Sequence, residues 1–242
     1  RDPEMSRGLG DVYKRQEAQI RALSEAGYTG VSFDELQAYV LRGDPLPKKP
    51  VVITFDDGYL SNYTLAYPIL QKYGMKATIF SIGVSFGKDH YKDTDYAMTP
   101  HFGAAEAAEM AGSGLISIQS HTYDMHQWPP YEDGSAAVRE NILQLPGESE
   151  EAYVEALTAD FTRSRTQLEA AAGRPVDVLA YPAGQYSTLA QVTLQNLGVH
   201  VTLSTNPGIN TVVKGLPQTL TAMLRFGVTE DLSPEALLEM IQ

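Results

Sequence analysis

The feature that most constrains this chain is the alternation of short apolar runs with stretches of helical period. The first run, Val51-Val52-Ile53-Thr54-Phe55, is apolar or β-branched throughout, as a strand buried on both faces of a parallel sheet must be. Further runs follow at 77–83 (ATIFSIG), 115–120 (LISIQS), 177–182 (DVLAYP), 199–205 (VHVTLST) and 222–228 (AMLRFGV). Between them lie helical segments. Residues 17–28 place Ile20, Leu23 and Ala26 near helical spacing, with Gly27 as a stop. Ser32 and Glu35 form a capping box ahead of FDELQAYVL, which Gly43 closes. A proline-rich link leads to Val51, and helices are predicted around 65–74 (with Pro68 in its first turn), 103–114, 149–173, 187–198 and 233–242.

This alternation means βαβ units and a parallel sheet. Six or seven strands fit either a barrel or an open doubly wound sheet, and the pattern favours the barrel slightly. No internal repeat or low-complexity linker divides the chain, so one domain over residues 17–242 is expected. Residues 1–16, RDPEMSRGLGDVYKRQ, show no helical or strand period and read as a non-native or disordered leader. Any signal peptide or anchor would then be missing ahead of them.

Composition narrows the function. The net charge is −12 with no basic cluster, which argues against sequence-independent binding to nucleic acid through phosphate neutralisation and is equally poor for anionic lipid. With no cysteine, disulfides, thiolate metal sites and cysteine nucleophiles are excluded. No segment is long and apolar enough to span a membrane. Nothing in the pattern bears on oligomeric state.

In parallel α/β folds the chemistry lies at the C-terminal ends of the strands. Three polar groups occupy such ends here: Asp56-Asp57 after the first strand, His121 with His126 in SHTYDMH, and Tyr181-Pro182-Ala183-Gly184. Each motif alone has a plain explanation, a turn or helix cap for Asp-Asp-Gly and a solvated loop for the histidines. Placed together, two carboxylates and two imidazoles suggest a divalent metal, which suits zinc, with a position left for water. One aspartate then serves as ligand and the other as general base for the attacking water. Gly58 allows the tight turn beneath them. A glycosidase using the two aspartates as its carboxylate pair leaves the histidines unexplained.

TFDDGY, SHTYDMH and AYPAG, in that order from about Val51 to Arg225, resemble the polysaccharide deacetylase (NodB-homology) family, carbohydrate esterase family 4. The four residues between the histidines, where three are commoner, are similar to the branch acting on poly-β-1,6-N-acetylglucosamine. The resemblance implies a distorted (β/α) barrel of about seven parallel strands. It also implies a hydrolase that removes acetyl groups from N-acetylglucosamine-containing polysaccharide with a bound divalent metal, most often Zn2+. By matching position Asp56 is the general base, and Asp57, His121 and His126 hold the metal. The backbone N–H of Ala183 would be the oxyanion donor, where many relatives carry tyrosine. Tyr59, Pro182 and Trp128 are candidates for substrate contact, and Trp128, Tyr131, Tyr91 and Tyr96 for stacking on sugar rings. Arg225 is a candidate for orienting a catalytic group, a plain salt bridge being the simpler reading. The lead-in before Val51 is similar to secreted bacterial members, so an extracytoplasmic location is expected.

Two departures stand out. The family's Asp-Trp motif is missing, and so is the late Leu-x-x-His whose histidine would protonate the leaving amine. His200 opens a predicted strand and reads as structural, while His90 and His101 fall in a loop without a partner. The alternatives are a carbohydrate-binding relative with a weakened site and a small-molecule amide hydrolase on the same fold.

Overall fold

The apolar runs pair as one curved parallel sheet with helices packed on it. A computed structural model describes residues 3–132, 134 and 137–242. Residues 1 and 2 of the 1–16 segment, and Asp133, Ser135 and Ala136 of the loop after His126, lie outside the described residues. The chain opens with α1 (Pro3–Glu25), β1 (Thr29–Gly30), α2 (Phe33–Arg42), β2 (Pro50–Val51) and β3 (Ile53–Phe55). It continues through α3 (Tyr67–Tyr73), β4 (Ala77–Ser81), α4 (Ala104–Gly112), β5 (Ile116–Ser120) and α5 (Glu150–Ala172). It ends with β6 (Val178–Ala180), α6 (Thr188–Asn196), β7 (Val201–Leu203) and α7 (Pro234–Met240).

Strands β3 to β7 form a five-stranded parallel sheet in sequence order, and β1 pairs β2 as a separate parallel pair. Sequential parallel order is barrel topology, left half closed. One face carries Ala77, Ile79, Ile116, Ile118 and Leu179 against a core that includes Leu23, Leu70, Met110, Phe161, Leu194 and Leu237 of the flanking helices. The opposite face presents Phe80, Val178, Ala180, Val201 and Leu203 to Val31, Phe33, Leu36 and Val40, so α2 fills what would be the barrel interior. Of the expected seven strands, the one at 222–228 is reduced to a single parallel bridge between Leu203 and Met223. The cause is local. Ala222 sits at φ 52°, and the amides of Leu224 and Arg225 go to Asn210 and Asn206 instead of a neighbouring strand. A cavity of about 800 Å3, lined in part by Val31, Phe33, Ile53, Leu203 and Met223, runs along this open seam.

Local signals largely decide the element ends. The Ser32–Glu35 capping box is formed and Gly43 ends α2 in the left-handed conformation. Ser149 caps α5 and Gly173 closes it. Pro68, without an amide hydrogen, takes the first turn of α3, and the preceding residues Asn62–Ala66 wind as a π-turn with Tyr67 N–H on Asn62 O. The helix expected from Glu17 instead runs from Pro3.

Candidate active site

The site is built where β3, β5 and β6 end, and each ending bends the chain sharply. Asp57 (φ 70°), Thr122 (φ 70°) and Ala183 (φ 53°) are all non-glycine residues in the left-handed region. Such conformations cost energy and persist where the surroundings enforce them, typically at functional sites. Gly58 (φ 84°) follows Asp57, and a Cβ there would lie 2.6 Å from Ser81 Oγ and 3.2 Å from Ser81 Cα. The turn after β3 can therefore lie against β4 only with glycine at this position.

The three predicted ligands converge. One donor atom each from Asp57, His121 and His126 lie within 4.8 Å of one another. His121 Nε2 is 3.6 Å from Asp57 Oδ1. The two rings are perpendicular (89°) with centroids 5.2 Å apart. Each ring is oriented from behind: His121 Nδ1 lies 2.8 Å from Ala180 O and His126 Nδ1 3.0 Å from Glu140 O. Nδ1–H donated to a carbonyl leaves Nε2 with its lone pair forward, the tautomer a metal ligand requires. Burial first, and His126 as well, hold His121 below the usual histidine range against the pull of Asp56 and Asp57, so the ring is neutral near pH 7. A carboxylate and two neutral imidazoles are a donor set that fits zinc with room for a further ligand.

Asp56 points elsewhere. Arg225 donates to it through both terminal nitrogens, Nη1 to Oδ1 at 2.7 Å and Nη2 to Oδ2 at 2.9 Å, and Arg225 Nε donates to Ser204 O at 2.9 Å. Burial raises the Asp56 pKa, but the Arg225 hydrogen bonds and the positive charge of that guanidinium outweigh it, leaving a net lowering. Asp56 is thus ionised and held at both oxygens. The same arginine ties the end of β3 to the segment after β7, across the seam that no strand closes.

Burial, followed by the neighbouring Asp57 carboxylate, pushes the Tyr59 hydroxyl up to about 12. His101, placed by its sequence in a loop without a partner, bridges Tyr59 as an antiparallel pair with ring centroids 4.9 Å apart. His90 sits on Asp89 and His200 on Asp177, the latter at the opposite end of the sheet. Pro182 and Ala183 form the turn after β6, held by Gly184 N–H on Tyr181 O and Gln185 N–H on Pro182 O. Beyond His126 the loop aromatics stack: Trp128 on Tyr131 at 5.6 Å and Tyr96 on Tyr131 at 5.0 Å, with Tyr91 edging the same ring. Trp128 is 59% and Tyr96 52% exposed, whereas Tyr91 is buried.

Sequence reasoning passed over two residues. Lys92 pairs with both Asp124 and Glu132, tying the 88–102 loop to the histidine loop. Asp160 on α5 takes two amides of that same loop. Its only signal is an acid beside the buried stripe Leu157, Phe161, Ser164 and Leu168.

The architecture and sequence both match known proteins. Residues 43–202 fit the family profile described as polysaccharide deacetylase. The chain is 31% identical over 195 residues to YxkH of Bacillus subtilis (strain 168), a polysaccharide deacetylase by name, covering 81% of this chain and 58% of that protein. It is 37% identical over 118 residues to the poly-β-1,6-N-acetyl-D-glucosamine N-deacetylase of Escherichia coli (strain K12), covering 45% of this chain and 17% of that enzyme. The chain thus spans less than two thirds of the length of either relative. The solved structure of IcaB from Ammonifex degensii superposes with a TM-score of 0.73 at 26% identity, over 94% of this chain and 88% of that one. With the strand-end carboxylates and histidines in place, this chain belongs to the polysaccharide deacetylase (NodB-homology) family, carbohydrate esterase family 4.

Proposed function

We propose that residues 17–242 act as one domain that hydrolyses N-acetyl groups from N-acetylglucosamine residues of a polysaccharide outside the cytoplasm, with zinc held by Asp57, His121 and His126. The observation that carries this reading is the convergence of those three donors within 4.8 Å beside an Asp56 already committed to Arg225. Asp57, His121 and His126 would hold a divalent ion, which would supply Lewis acidity to activate water and polarise the amide carbonyl. The protein's own groups do the rest. Asp56, ionised, accepts the proton of the attacking water. Arg225 fixes both carboxylate oxygens of Asp56, and Tyr59 lies beside Asp57. The Ala183 N–H, at the left-handed turn after Pro182, is the donor we assign to the oxygen that gains charge when the carbonyl becomes tetrahedral, a reading supported by the position of that turn at the end of β6.

A polymer is favoured over a small amide by the aromatic stack. Trp128 lies two residues past His126, and its exposed flat face suits the apolar face of a pyranose ring bound next to the reacting one. The E. coli relative, by its name, acts on poly-β-1,6-N-acetyl-D-glucosamine, and this is the substrate class we assign here. A binding-only relative has no need of a complete donor set with an oriented base beside it. The test is acetate release from β-1,6-linked N-acetylglucosamine oligomers by metal-stripped and zinc-restored protein. Release that requires zinc supports the reading; equal rates with and without chelator would remove it.

A further inference from the structure

The two histidines stand on one loop, and that loop is gripped from behind by a helix that supplies no ligand. Asp160, on α5, accepts the Tyr123 N–H at Oδ1 (2.8 Å) and the Asp124 N–H at Oδ2 (2.7 Å). One carboxylate spanning two successive amides fixes both the position and the tilt of the peptide between them, because motion about either bond breaks the other. The same face of α5 makes two more contacts. The Arg163 guanidinium lies 3.9 Å from the centre of the Tyr123 ring, and Ser164 Oγ is 2.8 Å from Ser120 Oγ at the end of β5. From the other side Gly83 N–H and Val84 N–H bond Thr122 O (3.0 Å) and Tyr123 O (2.8 Å). A Cβ on Gly83 would stand 2.4 Å from the Tyr123 ring, so the two segments touch only because that residue is glycine.

Residues 122–124 are therefore clamped midway between His121 and His126. His121 follows directly from β5, and its place is set by the sheet through its amide on Ser81 O and its ring on Ala180 O. His126 has no such strand. Its ring rests on Glu140 O, and its distance from His121 depends also on the path of the intervening loop, which the α5 carboxylate holds.

We propose that Asp160 is a positioning residue for the metal centre, setting the separation of the His121 and His126 Nε2 atoms through the Tyr123 and Asp124 amides. This rests on the reading of both histidines as zinc ligands. Its consequence is specific: loosening the clamp weakens metal binding and leaves the chemistry of a fully loaded site unchanged. Asp160 touches neither ligands nor substrate, so it acts on affinity alone.

The experiment compares the zinc Kd of wild type, Asp160→Asn and Asp160→Glu by competition with a chromophoric chelator. The Tm of each metal-free protein and kcat at saturating zinc are measured alongside. Asp160→Asn keeps the shape but turns one acceptor into a donor facing an amide. Zinc affinity should fall about tenfold or more, as it does when groups orienting ligands are lost, with kcat recovered in excess zinc. Asp160→Glu retains both acceptors on a longer arm; it should fold like wild type and still bind zinc more weakly, which keeps the test open if the amide variant does not fold. Wild-type Kd in folded Asp160→Glu, or a fall in metal-free Tm with Kd unchanged in Asp160→Asn, would overturn the proposal and leave Asp160 as a fold contact. No zinc binding by wild type would overturn the metal reading itself, and the clamp with it.

Discussion

Replacing Arg225 with methionine removes the charge that holds Asp56, together with the guanidinium that lies 5.9 Å from the centre of the Phe80 ring. The guanidinium gives Asp56 two hydrogen bonds at 2.7 and 2.9 Å, and the two side chains are 14% and 30% exposed. With the arginine gone, burial dominates and the Asp56 pKa must rise. An adjacent arginine typically lowers an aspartate by about 1–3 units, so the acid limb of kcat/KM should move up by a similar amount. Breaking a fully buried pair costs about 3–5 kcal/mol; partial exposure here puts the loss nearer 2 kcal/mol. The sign with pH follows from the depressed pKa in the folded state. Stability from the ionised form is present above the ordinary carboxylate range, near 3.9, and is lost as pH falls through the lower folded value. The Tm deficit of Arg225→Met should accordingly be full at neutral pH and shrink in acid. The assay is the pH profile of acetate release at saturating zinc, with zinc stoichiometry checked at each pH so that metal loss is not mistaken for protonation of Asp56. An acid limb at the wild-type position in a fully loaded Arg225→Met would refute the assignment of Arg225 as the group that keeps the base ionised.

Three further outcomes are expected. His121→Ala and His126→Ala should each lose bound metal, and with it the rise in Tm that zinc gives wild type, about 2.7 kcal/mol at a hundredfold excess over Kd; metal analysis of the purified variants checks this. Trp128→Ala should raise KM for oligomers by roughly 2–10-fold, the worth of one aromatic contact, with kcat little changed, and should leave a monomeric substrate unaffected. Deleting residues 1–16 gives up the exposed Arg15–Asp231 ion pair, worth less than about 1 kcal/mol, and should shift Tm by no more than about 3 °C; a larger drop by calorimetry would show that the start of α1 packs on the domain.

What could be read in the sequence was what depends on neighbouring residues. The Ser32–Glu35 box, the Gly43 and Gly173 stops and the run into Asp56-Asp57 are local, and they stand as expected. The histidine pair was legible because a strand end and a short loop place both imidazoles within six residues. The rest depends on contacts across long separations. Arg225 meets Asp56 across 169 residues, and this contact takes the place of the missing strand ladder at the seam. Asp160 lies 37 residues from the amide it holds, on a helix whose pattern marks only its buried stripe. The strand expected at 222–228 has the right apolar alternation, but Ala222 turns the backbone, the Asn210 side chain takes the Leu224 amide and the Asn206 carbonyl takes that of Arg225. Helix α1 reaches back to Pro3 through residues whose sequence carries no regular apolar period.

The division of labour between the adjacent aspartates is the centre of the account, and their isosteric amides separate it. Zinc content and acetate release should be measured together on purified Asp56→Asn and Asp57→Asn. Asp56→Asn retains all three ligands and should bind zinc as wild type does, with turnover lower by about 10²–10⁴-fold and no rescue by added metal, because an amide cannot take the proton of water. Asp57→Asn loses an anionic donor and should bind zinc weakly, with activity returning in part at high zinc. Loss of metal from Asp56→Asn with retention in Asp57→Asn would reverse the two roles, and full activity in both would contradict the account.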